Sequence, residues 1–205
     1  NLNVIDKRVH GIIGPHDIDR IQEVVFSDEK RVFLSEDNRR LGPKTAFKKM
    51  RDDSTSAIVQ ISEGCAGRCS FCCTRFARGS VHSFPIEEIV DEVKDALSKG
   101  YKEILFTSQD TAVYGVDIDT NLVTLLKRVF DIDEEFRLRL GMANPNHIKS
   151  FENDLVPIYN DSHMYRFLHI PVQSGDDKVL SDMRRDHSIK DYLETVSLFR
   201  KNIKD

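Results

Sequence analysis

The chain has 205 residues, an ordinary apolar share of 40%, no tryptophan and a formal net charge of −4. That length is enough to bury a core, and the acidic balance argues against a nucleic-acid binder with charge spread over the whole surface. No apolar run is long enough to span a bilayer, and no charged-then-apolar start resembles a signal peptide, so the expectation is a soluble protein of the reducing cytoplasm.

Residues 1–50 read as the end of a preceding piece, and the first residue, Asn1, is not methionine. Val9 to Ile13 is a short apolar run that Gly14-Pro15 turns. Ile18, Ile21, Val24 and Val25 recur at helical spacing over Asp17 to Phe26, and Arg31 to Leu34 reads as one more strand. Asn38 to Arg51 then holds Arg39, Arg40, Lys44, Lys48, Lys49 and Arg51 with no acid among them. That run is either a solvated linker or a strip for RNA phosphates, with Arg39, Arg40, Lys48 and Lys49 as the candidates.

After residue 56, strands and helices alternate, the pattern of parallel βα units. The expected strands are Ala57–Ser62, Glu103–Ser108, Phe136–Met142 and Phe167–Gln173. Between them, Ile86, Ile89, Val90, Val93, Ala96 and Leu97 form one helical stripe, with Pro85 in its first turn and Gly100 past its end. Leu122, Leu125, Leu126, Val129 and Phe130 form the next. Tyr192, Leu193, Val196 and Phe199 form the last, opened by Ser188. Along Phe136 to Met142 the apolar residues share one face while Arg137, Arg139 and Gly141 share the other. Along the fourth strand His169, Pro171 and Gln173 oppose Leu168, Ile170 and Val172. Inner faces this polar imply an open half-barrel around a polar ligand, because a dry barrel would not tolerate arginine.

All four cysteines fall in one stretch after the first strand, Glu63-Gly-Cys65-Ala-Gly-Arg-Cys69-Ser-Phe-Cys72-Cys73. Cys65, Cys69 and Cys72 stand at C-x3-C-x2-C. Thiolates hold iron–sulfur clusters, and three of them on a four-iron cubane leave one iron open. Structural zinc prefers four ligands in two close pairs, and only Cys69 and Cys72 form such a pair. Cys73 reads as a packed or spare thiol, since adjacent side chains rarely converge on one metal. A disulfide scaffold needs a higher cysteine density.

This loop, with Phe71 before Cys72, resembles the signature of the radical S-adenosylmethionine (SAM) enzymes. Its flanks, Ile61-Ser-Glu-Gly-Cys, Thr74-Arg-Phe-Ala-Arg-Gly79 and Ser83-Phe-Pro-Ile-Glu-Glu88, are similar to the methylthiotransferase branch, and within it to the archaeal and eukaryotic enzymes that methylthiolate N6-threonylcarbamoyladenosine in tRNA. The resemblance implies a partial (β/α) barrel whose first four βα units occupy residues 51–205, after the remnant of a small α/β domain and a basic linker in residues 1–50. It implies a [4Fe-4S] cluster on Cys65, Cys69 and Cys72, SAM on the open iron, and a second, auxiliary cluster held elsewhere in the full-length family. It further implies cofactor contacts from Phe71, Gln109, Asp110, Arg139, Gln173, Ser174 and Arg185, and contacts of Arg75 and Arg78 with an anionic substrate. The implied partners are tRNA and a reductant protein. Further strands and an RNA-binding domain belong to the family pattern, so the chain reads as a fragment unable to complete thiolation alone. The sequence leaves two other readings: a methylthiotransferase for a ribosomal-protein aspartate, and a non-catalytic zinc or Fe–S module that binds RNA.

Overall fold

The computed structural model describes residues 9, 11–15, 17–29, 31–33, 49 and 55–203. The chain divides into two compact units, residues 1–46 and 47–205.

In the first unit, β1 (Gly11–Ile13) and β2 (Arg31–Phe33) pair in parallel, Ile12 opposite Val32. A 3₁₀ turn at Ile18–Arg20 and α1 (Ile21–Val25) make the crossover between them. The helix is short, and none of its side chains is buried.

In the second unit, three parallel strands form one sheet in the order β3 (Ser56–Gln60), β6 (Glu103–Thr107), β7 (Arg137–Leu140). The side-chain alternation follows the sequence pattern. Ala57, Val59, Ile104, Phe106, Leu138 and Leu140 point into the core, while Ile58, Leu105 and Arg139 lie in register on the opposite face. Ile58 is 60% exposed there, so that face is open.

Helices cover the core face. α3 (Ile86–Ser98) contributes Ile89, Val90, Val93, Ala96 and Leu97, and α4 (Leu122–Phe130) contributes Leu122, Leu125, Leu126 and Val129. Each such side chain contributes about 1.5–3 kcal/mol by leaving water. Pro85 stands at the N-cap of α3, one place earlier than the sequence suggests, and Gly100 beyond its end has φ +90°. α4 packs next to α6 (Glu152–Tyr159), and α6 next to α8 (Ile189–Asn202), where Tyr159 meets the edge of the Phe199 ring. Ser188 opens α8 through a capping box with Asp191, each side chain accepting from the other's backbone N–H. Among the described residues no helix is long and apolar enough to cross a membrane.

Two strand expectations need correction. Ala57–Ser62 is not one strand. β3 stops at Gln60, and β4 (Ser62–Glu63) turns away to pair antiparallel with β5 (His82–Ser83). Phe167–Gln173 is not a strand either. Residues 163–169 lie along the outer edge of β7 through a bridge of Leu138 with Met164, the Tyr165 N–H on the Leu138 carbonyl at 2.8 Å, and the Ala143 N–H on the His169 carbonyl at 3.0 Å. The ladder breaks because the Phe167 N–H turns back to the Tyr165 carbonyl at 2.7 Å, Pro171 has no N–H to give, and Gln173 has φ +72°. The fold remains α/β with a parallel sheet, a partial barrel open on one face.

Candidate active site at the cysteine loop

The β4–β5 ladder closes the base of the cysteine loop. Gly64 begins the loop at φ +79°, and a Cβ there would lie 2.0 Å from the Ser80 carbonyl oxygen, so only glycine fits. Beyond it the Cys65 N–H donates to the Gly79 carbonyl at 3.2 Å. The middle of the loop is tied to the end of α7 (Asp177–Asp182): the Ser70 N–H reaches the Met183 carbonyl at 3.0 Å, and its hydroxyl reaches the Asp182 carbonyl at 2.9 Å. α2 (Thr74–Arg78) follows the last cysteine.

Cys65, Cys69 and Cys72 line one cavity of about 360 Å³. Cys73 does not line it. A Cβ on Gly67 would sit 3.3 Å from Cys65 Sγ and 3.7 Å from Cys69 Sγ, so the missing side chain leaves both sulfurs uncovered. Each of the three sulfurs receives one N–H: from Gly67 to Cys65 at 3.2 Å, from Arg185 Nη1 to Cys69 at 3.1 Å, and from Thr74 to Cys72 at 3.4 Å. Cys72 Sγ also lies 3.1 Å from the Thr74 hydroxyl. Hydrogen bonds of this kind favour the thiolate, the form that binds metal. Those from Thr74 hold the Cys72 thiol below its ordinary range, whereas burial pushes Cys65 up against the smaller opposing effect of the Gly67 N–H. Among the described residues, no three His, Cys, Asp or Glu side chains are gathered closely enough to share one metal ion. Three cysteine thiols open to one cavity are the donor type that iron–sulfur clusters take.

Behind Cys69 runs a buried relay. Asp110 is 1% exposed, and its carboxylate accepts from the Ala112 N–H at 3.1 Å, the Asn144 N–H at 3.0 Å and Asn144 Nδ2 at 3.0 Å. His147 Nδ1, on α5 (Pro145–Ile148), stands 2.6 Å from the same carboxylate. With its amide nitrogen committed to Asp110, Asn144 turns its oxygen toward Arg185 and accepts from Nη2. The guanidinium is thereby aimed at the Cys69 sulfur. The loops after β6 and β7 thus position the middle cysteine of a loop that follows β4.

The other residues singled out in the sequence are dispersed. Arg75 lines the cysteine cavity, and Arg78 is on the same helix. Phe71 is 58% exposed. Gln109 Oε1 is buried with no hydrogen-bond partner among the described residues, a vacancy in bonding that a ligand's N–H would fill. Arg139 lies on the open sheet face with its guanidinium 4.5 Å from the centre of the Phe167 ring. Gln173 is exposed, and the Ser174 hydroxyl accepts from the Asp176 N–H at 3.1 Å beside the N-cap of α7. Lys49 pairs with Glu92 of α3. Arg39, Arg40 and Lys48 lie outside the described residues. The sequence reading does not single out His147, Phe76 or Arg68 as site residues. The signals that could have found them were the Asn-Pro turn at a strand end and the aromatic inside Thr74 to Gly79.

The profile described as the radical SAM superfamily matches residues 59–205. The chain belongs to the radical SAM superfamily. It is 43% identical, over 208 residues, to the probable threonylcarbamoyladenosine tRNA methylthiotransferase of Pyrococcus abyssi (strain GE5 / Orsay), covering 100% of this chain and 49% of that protein. It is 39% identical over 200 residues to the threonylcarbamoyladenosine tRNA methylthiotransferase of Homo sapiens, covering 94% and 34%. The chain thus spans about half the length of the archaeal relatives it matches. Among solved structures it resembles the radical SAM methyltransferase TsrM from Kitasatospora setae with cobalamin and a [4Fe-4S] cluster bound, at TM-score 0.55 and 19% identity over 71% of this chain and 28% of that one. It also resembles the cobalamin-dependent SAM radical enzyme OxsB, at TM-score 0.58 and 15% identity over 69% and 22%. At these identities the likeness is one of fold.

Proposed function

We propose that this chain forms part of the catalytic core of a radical SAM methylthiotransferase that adds a methylthio group to C2 of N6-threonylcarbamoyladenosine beside the anticodon of tRNA. The observation that carries the reading is the set of three C-x3-C-x2-C sulfurs lining one cavity, each with its own N–H donor, in a chain 43% identical to a protein of that name. Cys65, Cys69 and Cys72 hold the [4Fe-4S] cluster. When bound, the cluster and SAM supply the radical chemistry that activates an otherwise inert C–H bond. The protein's own share is positional. Gly67, Thr74 and Arg185 fix the three sulfurs, Asn144 and Asp110 fix Arg185, and the bare Gly67 keeps the approach to two of the sulfurs clear. Gln109, with its unpartnered oxygen, is a candidate to accept an N–H of SAM.

All four cysteines of these 205 residues lie between positions 65 and 73. An auxiliary cluster therefore has no thiolate set of its own here, and the complete reaction belongs to a longer protein of the relatives' size. Such an enzyme works on cytoplasmic tRNA and draws electrons from a reductant protein.

The test is anaerobic reconstitution with iron and sulfide, followed by dithionite reduction with and without SAM, read by electron paramagnetic resonance. The expected outcome is a reduced [4Fe-4S] signal whose shape changes when SAM is added. Stoichiometric zinc with no cluster, or a cluster still indifferent to SAM when the measurement is repeated on a chain of the relatives' length, would overturn the reading.

A further inference from the structure

The cavity that holds the three cysteines is also lined by Arg68, Arg75, Arg184 and Phe76, and by no carboxylate. In a chain of net charge −4 this is a local reversal of sign. The arginines are also uncommitted. Arg20 and Arg128 each make two hydrogen bonds to a glutamate, at 3.0 Å throughout, whereas Arg68, Arg75 and Arg184 form no ion pair or side-chain hydrogen bond among the described residues. A neighbouring groove of about 710 Å³ shares Arg68 and Arg184 but is lined by Asp177, Asp186 and Asp191 as well, so an anion is favoured on the cysteine side.

Phe76 projects at the same place. At 91% it is the most exposed of the large apolar side chains described, on a helix that buries none of its residues. An aromatic ring this exposed, set among arginines, is the pairing that single-stranded RNA uses: bases stack on the ring while guanidinium groups meet the phosphates.

Arg184 supplies an independent observation. It follows the C-cap of α7 in the left-handed region, φ +55°, with its N–H on the Ser181 carbonyl at 2.9 Å and the next N–H on the Leu180 carbonyl at 2.9 Å. Glycine is the residue that closes a helix in this conformation without strain. A long cationic side chain held there against backbone preference and pointed into the cavity indicates a use other than folding.

We infer that Phe76 and Arg184, with Arg68 and Arg75, form the RNA-docking rim of the cluster cavity: an unpaired base of the substrate stacks on Phe76, and the arginines take the phosphates that flank it. The inference rests on the proposed RNA substrate and names the side chains that receive it. It also separates an RNA from a protein substrate, because an aspartate-bearing peptide offers no base to stack.

The experiment measures binding of the cluster-loaded chain to an anticodon stem-loop RNA carrying the modified adenosine, by fluorescence anisotropy across a salt series. Phe76→Ala should weaken binding about fivefold to a hundredfold, the range for removal of one stacking aromatic, and Phe76→Trp should restore it. Arg184→Gly should lower the slope of log affinity against log salt by about 0.7, one phosphate contact on a single strand, while the melting temperature stays level or rises as the left-handed strain is relieved. Unchanged RNA affinity in Phe76→Ala overturns the inference and leaves the methylthiotransferase reading standing on its SAM-dependent resonance signal. A fall in melting temperature and cluster loading in Arg184→Gly assigns the arginine to the fold and overturns its role at the rim. Phe76-dependent binding of an aspartate-bearing peptide in place of RNA overturns both the rim and its substrate.

Discussion

Two loops, one after β6 and one after β4, are built on opposite principles. The loop after β6 is closed from Asp110 onward: Asp110, Thr111, Ala112, Val113 and Tyr114 are all buried, and the Asp110 carboxylate spends itself on donors from Ala112 and Asn144 and on His147. The cysteine loop is the reverse. Cys72 and Cys73 are exposed, residues 65–73 have no regular secondary structure, and the loop is held by Gly64, by Ser70 and by Arg185. One loop has its bonding completed by the protein save at Gln109 Oε1; the other leaves three sulfurs for something else to complete. Arg185 joins the two, because the rigid loop's Asp110 and Asn144 aim it at Cys69.

The contrast predicts that the two loops fail in different ways. The largest effect falls on metal content. Cys65→Ala, Cys69→Ala and Cys72→Ala should each bring iron bound after reconstitution to near background, while the apo chain loses less than about 1 kcal/mol, as expected for partly exposed side chains. Cys73→Ala should keep its cluster, since Cys73 does not line the cavity. Iron analysis and urea denaturation on the same samples check this. Loss of the cluster in Cys73→Ala with retention in Cys72→Ala would reassign the ligand set.

Asp110→Asn should do the opposite. It removes the charge from a buried acceptor of three hydrogen bonds and turns an amide N–H toward groups that already donate. The expected loss is on the order of 3 kcal/mol, read as a lower urea midpoint with unchanged slope. Full stability with selectively weakened SAM binding would mean instead that this carboxylate serves the ligand, and the two loops would be alike.

How much of this was legible beforehand depends on the range of each interaction. The alternation Arg137-Leu-Arg-Leu140 declared both the strand and its open face, because strand period is a local property. Ser188 declared the start of α8 for the same reason. The cysteine spacing was legible because ligands on one loop answer to chemistry within eight residues. The split of the first strand at Ile61 was not, since it depends on Ser62 and Glu63 pairing with a segment twenty residues on. α6 carries Pro157 in its interior and was hidden by it. The fourth strand had the right alternation in its sequence, yet its backbone donors are spent locally or missing at Pro171. The arginine on Cys69 comes from 116 residues away, and the carboxylate behind it works only through Asn144, a residue whose sequence context reads as a plain turn.

The smallest effect gives the finest test of the contrast. Ser70 ties the middle of the cysteine loop to α7 through two bonds, its N–H to Met183 and its hydroxyl to Asp182. Ser70→Ala removes only the second, at an exposed position, and should cost about 0.5–1 kcal/mol. If the cysteine loop opens independently of the core, that loss appears locally: amide exchange at Ser70 and Cys72 should quicken by roughly threefold to fivefold, and the urea midpoint should barely move. The amides of Thr111 and Ala112, bonded to the Met142 carbonyl and to Asp110, should keep their protection. Equal acceleration in both places would show that the two loops open as one unit through Arg185. The cysteine loop would then owe its order to the Asp110 relay rather than to its own tethers, and Asp110→Asn should loosen it as well.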